Sequence, residues 1–403
     1  MTSPPTPAAL PAQDLTARLA STRSVVAVAL LFGVNGLVIG GYGGALPSIR
    51  ERLDINSTQI ALMLGVAGGA GILSMQIGGR LSDSIGARQV SLAGLPLIVA
   101  AATTFAFATT YPAALVGAVL LGLGNGTMDV AMNAVGVQVE AARRRPIMSF
   151  FHALWSVGGF VGAGSVVLMA TLIARTGPAI VKPLMLLMAA LALLALVVAY
   201  VITPHTAVIH HTVDGIRTKI PRVAWLLAIM GLGFGLAEGT ATDWSSLQVT
   251  DVAGVDSTTG ALGFVAVSGS MLTIRLLGDR LVARFGRRAV VRFGGACAAV
   301  GYLWVTLVSG LAPLIIGWAI VGFGVGMIAP QVYAVAGHMG GGRVLAVVVT
   351  FGYAAFLAGP AVMGFFVHSL GLHHAMVVPA ILCLAIVGLA AVMPRRDADL
   401  ATG

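Results

Sequence analysis

The sequence predicts an all-α membrane protein, with twelve transmembrane helices in two pseudo-symmetric six-helix bundles. Three observations predict it. Only 9% of the 403 residues are charged and 58% are hydrophobic, whereas an ordinary soluble domain carries about 25% charge. The apolar residues fall in runs near the roughly 20 residues that a helix needs to cross a bilayer. The chain also repeats itself. Gly79-Arg80-Leu81-Ser82-Asp83-Ser84-Ile85-Gly86-Ala87-Arg88 lies 200 residues before Asp279-Arg280-Leu281-Val282-Ala283-Arg284-Phe285-Gly286-Arg287-Arg288. Gly122, Gly124 and Gly126 meet Gly322, Gly324 and Gly326 at the same offset. A constant offset over two separate segments marks an internal duplication.

Taken in order, residues 1–23 carry Pro4, Pro5, Pro7 and Pro11 and are expected to form a disordered tail. The apolar run that follows is long enough to stay in the membrane, so it reads as a span and not as a removed signal. Twelve spans follow, with approximate limits 24–46, 57–79, 89–109, 112–137, 147–173, 178–202, 222–247, 257–279, 289–309, 312–336, 344–369 and 373–393. They form an N-terminal bundle over 24–202 and a C-terminal bundle over 222–393. The linker 203–221, with His205, His210, His211, Asp214 and Lys219, divides them, and 394–403 is a tail.

Basic residues set the orientation. Only Arg50, Arg52, Arg175 and Lys182 fall in loops on one side and Arg275 lies in a span, which leaves 18 of the 23 Lys and Arg on the other side. The positive-inside rule makes that side cytoplasmic, together with both termini. The net charge of +9 is explained by this placement, and no nucleic-acid partner is implied. Cys297 and Cys383 sit in separate apolar runs and read as small core hydrophobes. No metal-ligating spacing is present, and no cofactor is expected.

Twelve spans, two halves and the charged turn after span two resemble the major facilitator superfamily, whose loop signature is Gly-x-x-x-Asp-x-x-Gly-x-Arg. Here it reads Gly79, Asp83, Gly86 and Arg88. The resemblance implies the major facilitator fold, with Asp83 bracing neighbouring spans near a cytoplasmic gate and Arg88 at the membrane edge. The second copy keeps Gly286 and Arg288, with Arg287 between them, but has Ala283 where the acid belongs. Asp279 is expected to stand in for it by pairing with Arg275 at i,i+4. Asp129-Val-Ala-Met-Asn133, Ser149-Phe-Phe-His152-Ala-Leu-Trp155-Ser156 and Ala241-Thr-Asp243-Trp244-Ser245 resemble a bacterial subgroup near the fucose and rhizopine permeases. That likeness implies a multi-pass protein of the bacterial inner membrane that works as a monomer.

Three acids remain in or at the edge of spans: Asp129 in span four, and Glu238 and Asp243 in span seven. A carboxylate in the bilayer is costly unless paired, hydrated or protonated, so each is a candidate for function. Asn125, Asp129 and Asn133 repeat every four residues and form one polar stripe that must face a cavity or another helix. His152, in span five, sits at comparable depth. Asp129 and His152 are therefore expected either to exchange a proton or to fasten two helices. Glu238 lies in a glycine-rich run suited to a cavity wall, with an ion pair to Arg275 as the alternative. Asp243 and Trp244 are expected nearer the outer interface, where Trp is a common anchor.

The resemblance implies that spans one, four, seven and ten line the central cavity, which singles out Asn35, Asp129, Glu238 and Gln331. Trp155 with neighbouring Ser156, and Tyr353 of span eleven, would then supply surfaces for a solute. Fucose-type symporters carry acids in both the first and fourth spans, so Asn35 in span one departs from that pattern.

The leading reading is a secondary transporter that moves a small polar solute, a sugar or cyclitol, by alternating access with proton symport. Without a Gly-x-x-x-x-Gly-Lys-Ser/Thr loop it has no direct ATP motor. The alternative is proton-coupled export of amphipathic compounds. Span five lacks the Gly-Pro signature of drug antiporters, although Gly359-Pro360 occurs in span eleven. A membrane enzyme would need a nucleophile–base pair or a metal set, and no His-Glu-x-x-His or Gly-x-Ser-x-Gly run exists.

Overall fold

The computed structural model describes residues 12–144, 147–206 and 220–394. Residues 1–11, most of the linker including His210, His211, Asp214 and Lys219, and the tail from 395 lie outside the described residues. Ten helices are long and apolar enough to cross a membrane. The pair Val347–Phe356 and Ala358–Ala375, bent by 43°, adds an eleventh span, and the shorter apolar helix Val377–Val392 completes twelve.

Spans one to six are the helices Thr22–Leu53, Ser57–Ile85, Ala87–Phe107, Tyr111–Arg143, Met148–Ile173 and Val181–Ile202. Spans seven to nine are Arg222–Ala253, Leu262–Phe285 and Arg287–Leu307. Span ten begins as Leu311–Val325 and passes into Ile328–Ala375, which is helical through the expected loop at 337–343 and includes span eleven.

Two expectations change here. Part of the tail is helical, because Ala12–Leu19 forms a short amphipathic helix with Leu19 buried against the core. Ser21 caps the first span by accepting the Ser24 backbone N–H at 3.2 Å. Span one also runs on through Pro47 to Leu53, which places Arg50 and Arg52 in its last turn.

Small residues set how the helices pack, as expected where lipid offers no hydrophobic drive between helices. A side chain at Gly122 would collide with the Ala67 carbonyl, and one at Gly322 with the Val267 carbonyl. Gly94 and Gly294 likewise meet Gly124 and Gly324. Each pair repeats at an offset of 200 residues, so the sequence repeat is a repeat of helix contacts. Gly36 and Gly40 bring span one against Trp155 and Gly159 of span five, and Gly235 brings span seven against Gly352 of span eleven.

The charged turns also match. Gly86 and Gly286 adopt positive φ, 98° and 78°, and break the backbone between spans two and three and between eight and nine. Arg88 then donates to the Tyr200 and Thr203 carbonyls at 2.8 and 2.9 Å, and Arg288 to the Met393 carbonyl at 2.6 Å. Each arginine ties the turn to the last carbonyls of the closing span of its half, where a cation is favoured by the helix dipole. This is the basic end of the molecule.

Candidate functional site

The centre of the molecule is built from polar side chains that the apolar helices cannot leave unsatisfied. Asn35 of span one is only 2% exposed. Its amide donates to Asn125 Oδ1 of span four at 2.9 Å, and its carbonyl accepts the Trp155 indole N–H of span five at 2.8 Å. Three spans are thus joined through one asparagine, and the Trp155 ring is held in place. One turn further along the stripe, Asn133 donates to the Asp129 backbone carbonyl at 2.8 Å. The Asp129 carboxylate is hydrogen-bonded with the Tyr353 hydroxyl of span eleven, in the other half of the chain.

A second cross-link joins the halves. Glu238 of span seven is buried, and Arg275 of span eight reaches it with Nη2 at 2.9 Å from Oε1. The other guanidinium nitrogen, Nη1, donates to Ser156 Oγ of span five at 2.8 Å. Burial of a carboxylate here is offset by its arginine, and the remaining donor of that arginine crosses to the first half.

Two neighbouring cavities lie between the halves, and Ile39, Trp155 and Thr242 line both. Glu238 and Ser156 border the smaller. The larger, partly open, has a cavity volume of about 90 Å³, and Asn125, Asp243 and Tyr42 stand on its wall.

Away from the basic end, the halves are fastened by groups not singled out in the sequence. Arg50 pairs with Asp251, with Nη1 2.7 Å from Oδ2. Ser257 donates to Glu51 at 2.5 Å and meets Ser48 at 3.2 Å. Ser246 donates to the Gly43 carbonyl at 2.8 Å, and Gly177 donates its N–H to Thr258 Oγ1 at 2.8 Å. Arg50 and Asp251 are ordinary loop charges in sequence terms. Only the meeting of two distant helix ends makes them a latch.

Several expectations are corrected. Asp129 and His152 do not pair: His152 packs edge-on to Phe32, with ring centroids 5.1 Å apart. Arg275 turns to Glu238 and Ser156 because the buried carboxylate needs its charge; the Asp279 side chain lies outside the described residues. Gln331 borders neither cavity, and its carbonyl accepts Arg287 Nη1 at 2.6 Å. Trp244 is fully buried in the helix core and is no interfacial anchor. Among the described residues, no group of three or more His, Cys, Asp or Glu is placed to hold a metal ion.

Known proteins share this architecture. The chain is 31% identical over 372 residues to a protein of Sinorhizobium fredii described as an uncharacterized transporter, covering 91% of this chain and 95% of that one. The fold superposes on the nucleoside transporter NupG with a TM-score of 0.71 at 12% identity, covering 92% of this chain and 99% of that one. It superposes on the Escherichia coli fucose:proton symporter FucP with a TM-score of 0.59 at 16% identity, covering 91% and 97%. The family model described as Major Facilitator Superfamily matches residues 28–341. With that match and the duplicated six-span halves, the chain belongs to the major facilitator superfamily of transporters.

Proposed function

We propose that this chain is a proton-coupled symporter for a small polyhydroxylated solute, working by alternating access in the bacterial inner membrane with both termini in the cytoplasm. The observation that carries the reading is the Asp129–Tyr353 contact. It joins a membrane carboxylate of one half to a hydroxyl of the other, and among the described residues no cation neutralises that carboxylate. Proton binding at Asp129 weakens its acceptor strength toward Tyr353, so protonation and the relative position of the halves are coupled. Glu238 is already charge-balanced by Arg275, which makes Asp129 a better proton carrier than Glu238.

The polar wall formed by Asn125, Trp155 and Ser156 offers hydroxyl partners and an aromatic face to a sugar-like ring. The named solutes of the two structural neighbours, a nucleoside and fucose, are likewise small and hydroxylated. The latch at Arg50–Asp251 closes the end opposite the basic loops, which corresponds to a cytoplasm-facing state when the basic end is inside. The protein acts as a monomer, because both halves of the site come from one chain.

The test is substrate-driven proton uptake in proteoliposomes holding a pH-sensitive dye, screened with sugars, cyclitols and cationic drugs. A polyol that drives proton uptake in the wild type and not in Asp129→Asn is the expected result. Proton flux driven only by cationic drugs and unaffected by Asp129→Asn would overturn the reading.

A further inference from the structure

One carboxylate in the central space is left without a partner. Asp243 lies on the wall of the larger cavity together with Tyr42, Trp155 and Phe356. Among the described residues, neither a cation nor a hydrogen-bond donor meets it. Tyr42, on the same wall, has a buried hydroxyl with no hydrogen-bond partner among the described residues. A carboxylate without a partner on a cavity wall, with an unsatisfied tyrosine hydroxyl among the residues lining the same cavity, points to a ligand group that completes it.

Charge decides what kind of group. Glu238 and Arg275 neutralise each other, so that pair adds no net charge to the two cavities. Asp243 is the remaining charge on the wall, and it is negative. A neutral hydroxyl would satisfy Tyr42 and leave the carboxylate uncompensated, while a carboxylate on the solute would add repulsion. An ammonium supplies both the donors and the charge that Asp243 lacks. Trp155 and Phe356 on the same wall are aromatic, and aromatic rings attract cations.

We infer that Asp243 and Tyr42, walled by Trp155 and Phe356, form a subsite for a cationic amine, so that the transported solute carries an ammonium beside its hydroxyls. This rests on the transport reading above and narrows its substrate class.

The test is binding to the full chain in detergent micelles, read as the ligand-induced shift of the melting midpoint. Probes are glucosamine against glucose and cyclohexylamine against cyclohexanol, each pair alike in shape and different in charge. In the wild type the charged member is expected to bind at least about tenfold more tightly in at least one pair. Asp243→Asn abolishes that preference, and Asp243→Glu retains it, which guards against a mere folding defect. No preference in either pair, a preference that survives Asp243→Asn, or no binding of any probe overturns the subsite. Because binding is measured without transport, this result stands apart from the proton-uptake test of the symport reading.

Discussion

Arg275 and Glu238 meet at 2.9 Å on neighbouring spans, and the same guanidinium reaches Ser156 of the opposite half at 2.8 Å. The ion pair is internal to the second half, while the third contact crosses between halves. Rocking of the halves can therefore break the Ser156 contact while the charges stay paired. That division separates a permanent neutralisation from a changeable one.

Breaking the permanent part is costly. Glu238→Gln leaves a buried guanidinium without its counter-charge, and such losses run to about 3–5 kcal/mol. The melting midpoint in detergent is expected to fall by many degrees, whereas Glu238→Gln combined with Arg275→Gln falls by much less. Equal losses in the single and double variants would show that the pair is not what stabilises span seven.

Glycine packing is testable by a matched pair in span one. A methyl at Gly40 collides with the Gly159 carbonyl, while at Gly33 nothing lies within 4 Å. Gly40→Ala should lose roughly 1–3 kcal/mol by overpacking. Gly33→Ala should be neutral or gain up to about 1 kcal/mol from helix propensity. Similar melting midpoints for the two variants would contradict the close approach of spans one and five.

Much of this was legible beforehand, for physical reasons. The 200-residue offset is visible because glycine is the one residue that lets helix backbones touch, so Gly94, Gly122 and Gly124 had to recur at Gly294, Gly322 and Gly324. The stripe Asn125–Asp129–Asn133 was visible because polar groups on an apolar helix stand out. Partners were not visible. Helical periodicity fixes the face of Asp129 but not the rotation of the facing span, so Tyr353, and not His152, met it. Gln331 was expected at the cavity because the family resemblance implies that span ten lines it, but Arg287 claims its carbonyl. The latch at Arg50 and Asp251 had no signal, since charged residues at helix ends are common.

That latch holds the closed end. Its two side chains are 18% and 33% exposed, so removing the pair by Arg50→Gln is worth about 1 kcal/mol after solvent screening, a shift of about fivefold in the balance of states. Labelling of a cysteine at Ser48 by a membrane-impermeant thiol reagent should rise by that factor. An unchanged labelling rate would mean that the remaining contacts alone set the closure.

Next to the latch, Asp256 lies in the loop before span eight. Partial burial pushes its carboxyl up, but the Thr259 hydroxyl and the N–H groups of Thr259 and Thr258 outweigh this and hold it below the usual range. A carboxyl lowered on folding stabilises above its ordinary pKa of about 3.9, and that contribution disappears as the pH falls through the folded value. Amide exchange at Thr258 and Thr259 should accelerate in Asp256→Ala near neutral pH, and wild type and variant should converge in strong acid after correction for intrinsic rates. Identical exchange at neutral pH would remove Asp256 from the account.

The central claim is that the two halves move against each other about the Arg275–Ser156 and Asp129–Tyr353 contacts. Thr109 and Ser309 are exposed at the latched end, and Ser84 and Arg284 are exposed at the basic end. Both pairs are related by the 200-residue repeat. Spin labels on these pairs, after replacement of Cys297 and Cys383, report the separation at each end by pulsed electron resonance. With a transported solute at acid pH, the Thr109–Ser309 distance is expected to lengthen as the Ser84–Arg284 distance shortens, in the same fraction of molecules. Fixed distances at both ends, or lengthening at both together, would contradict alternating access.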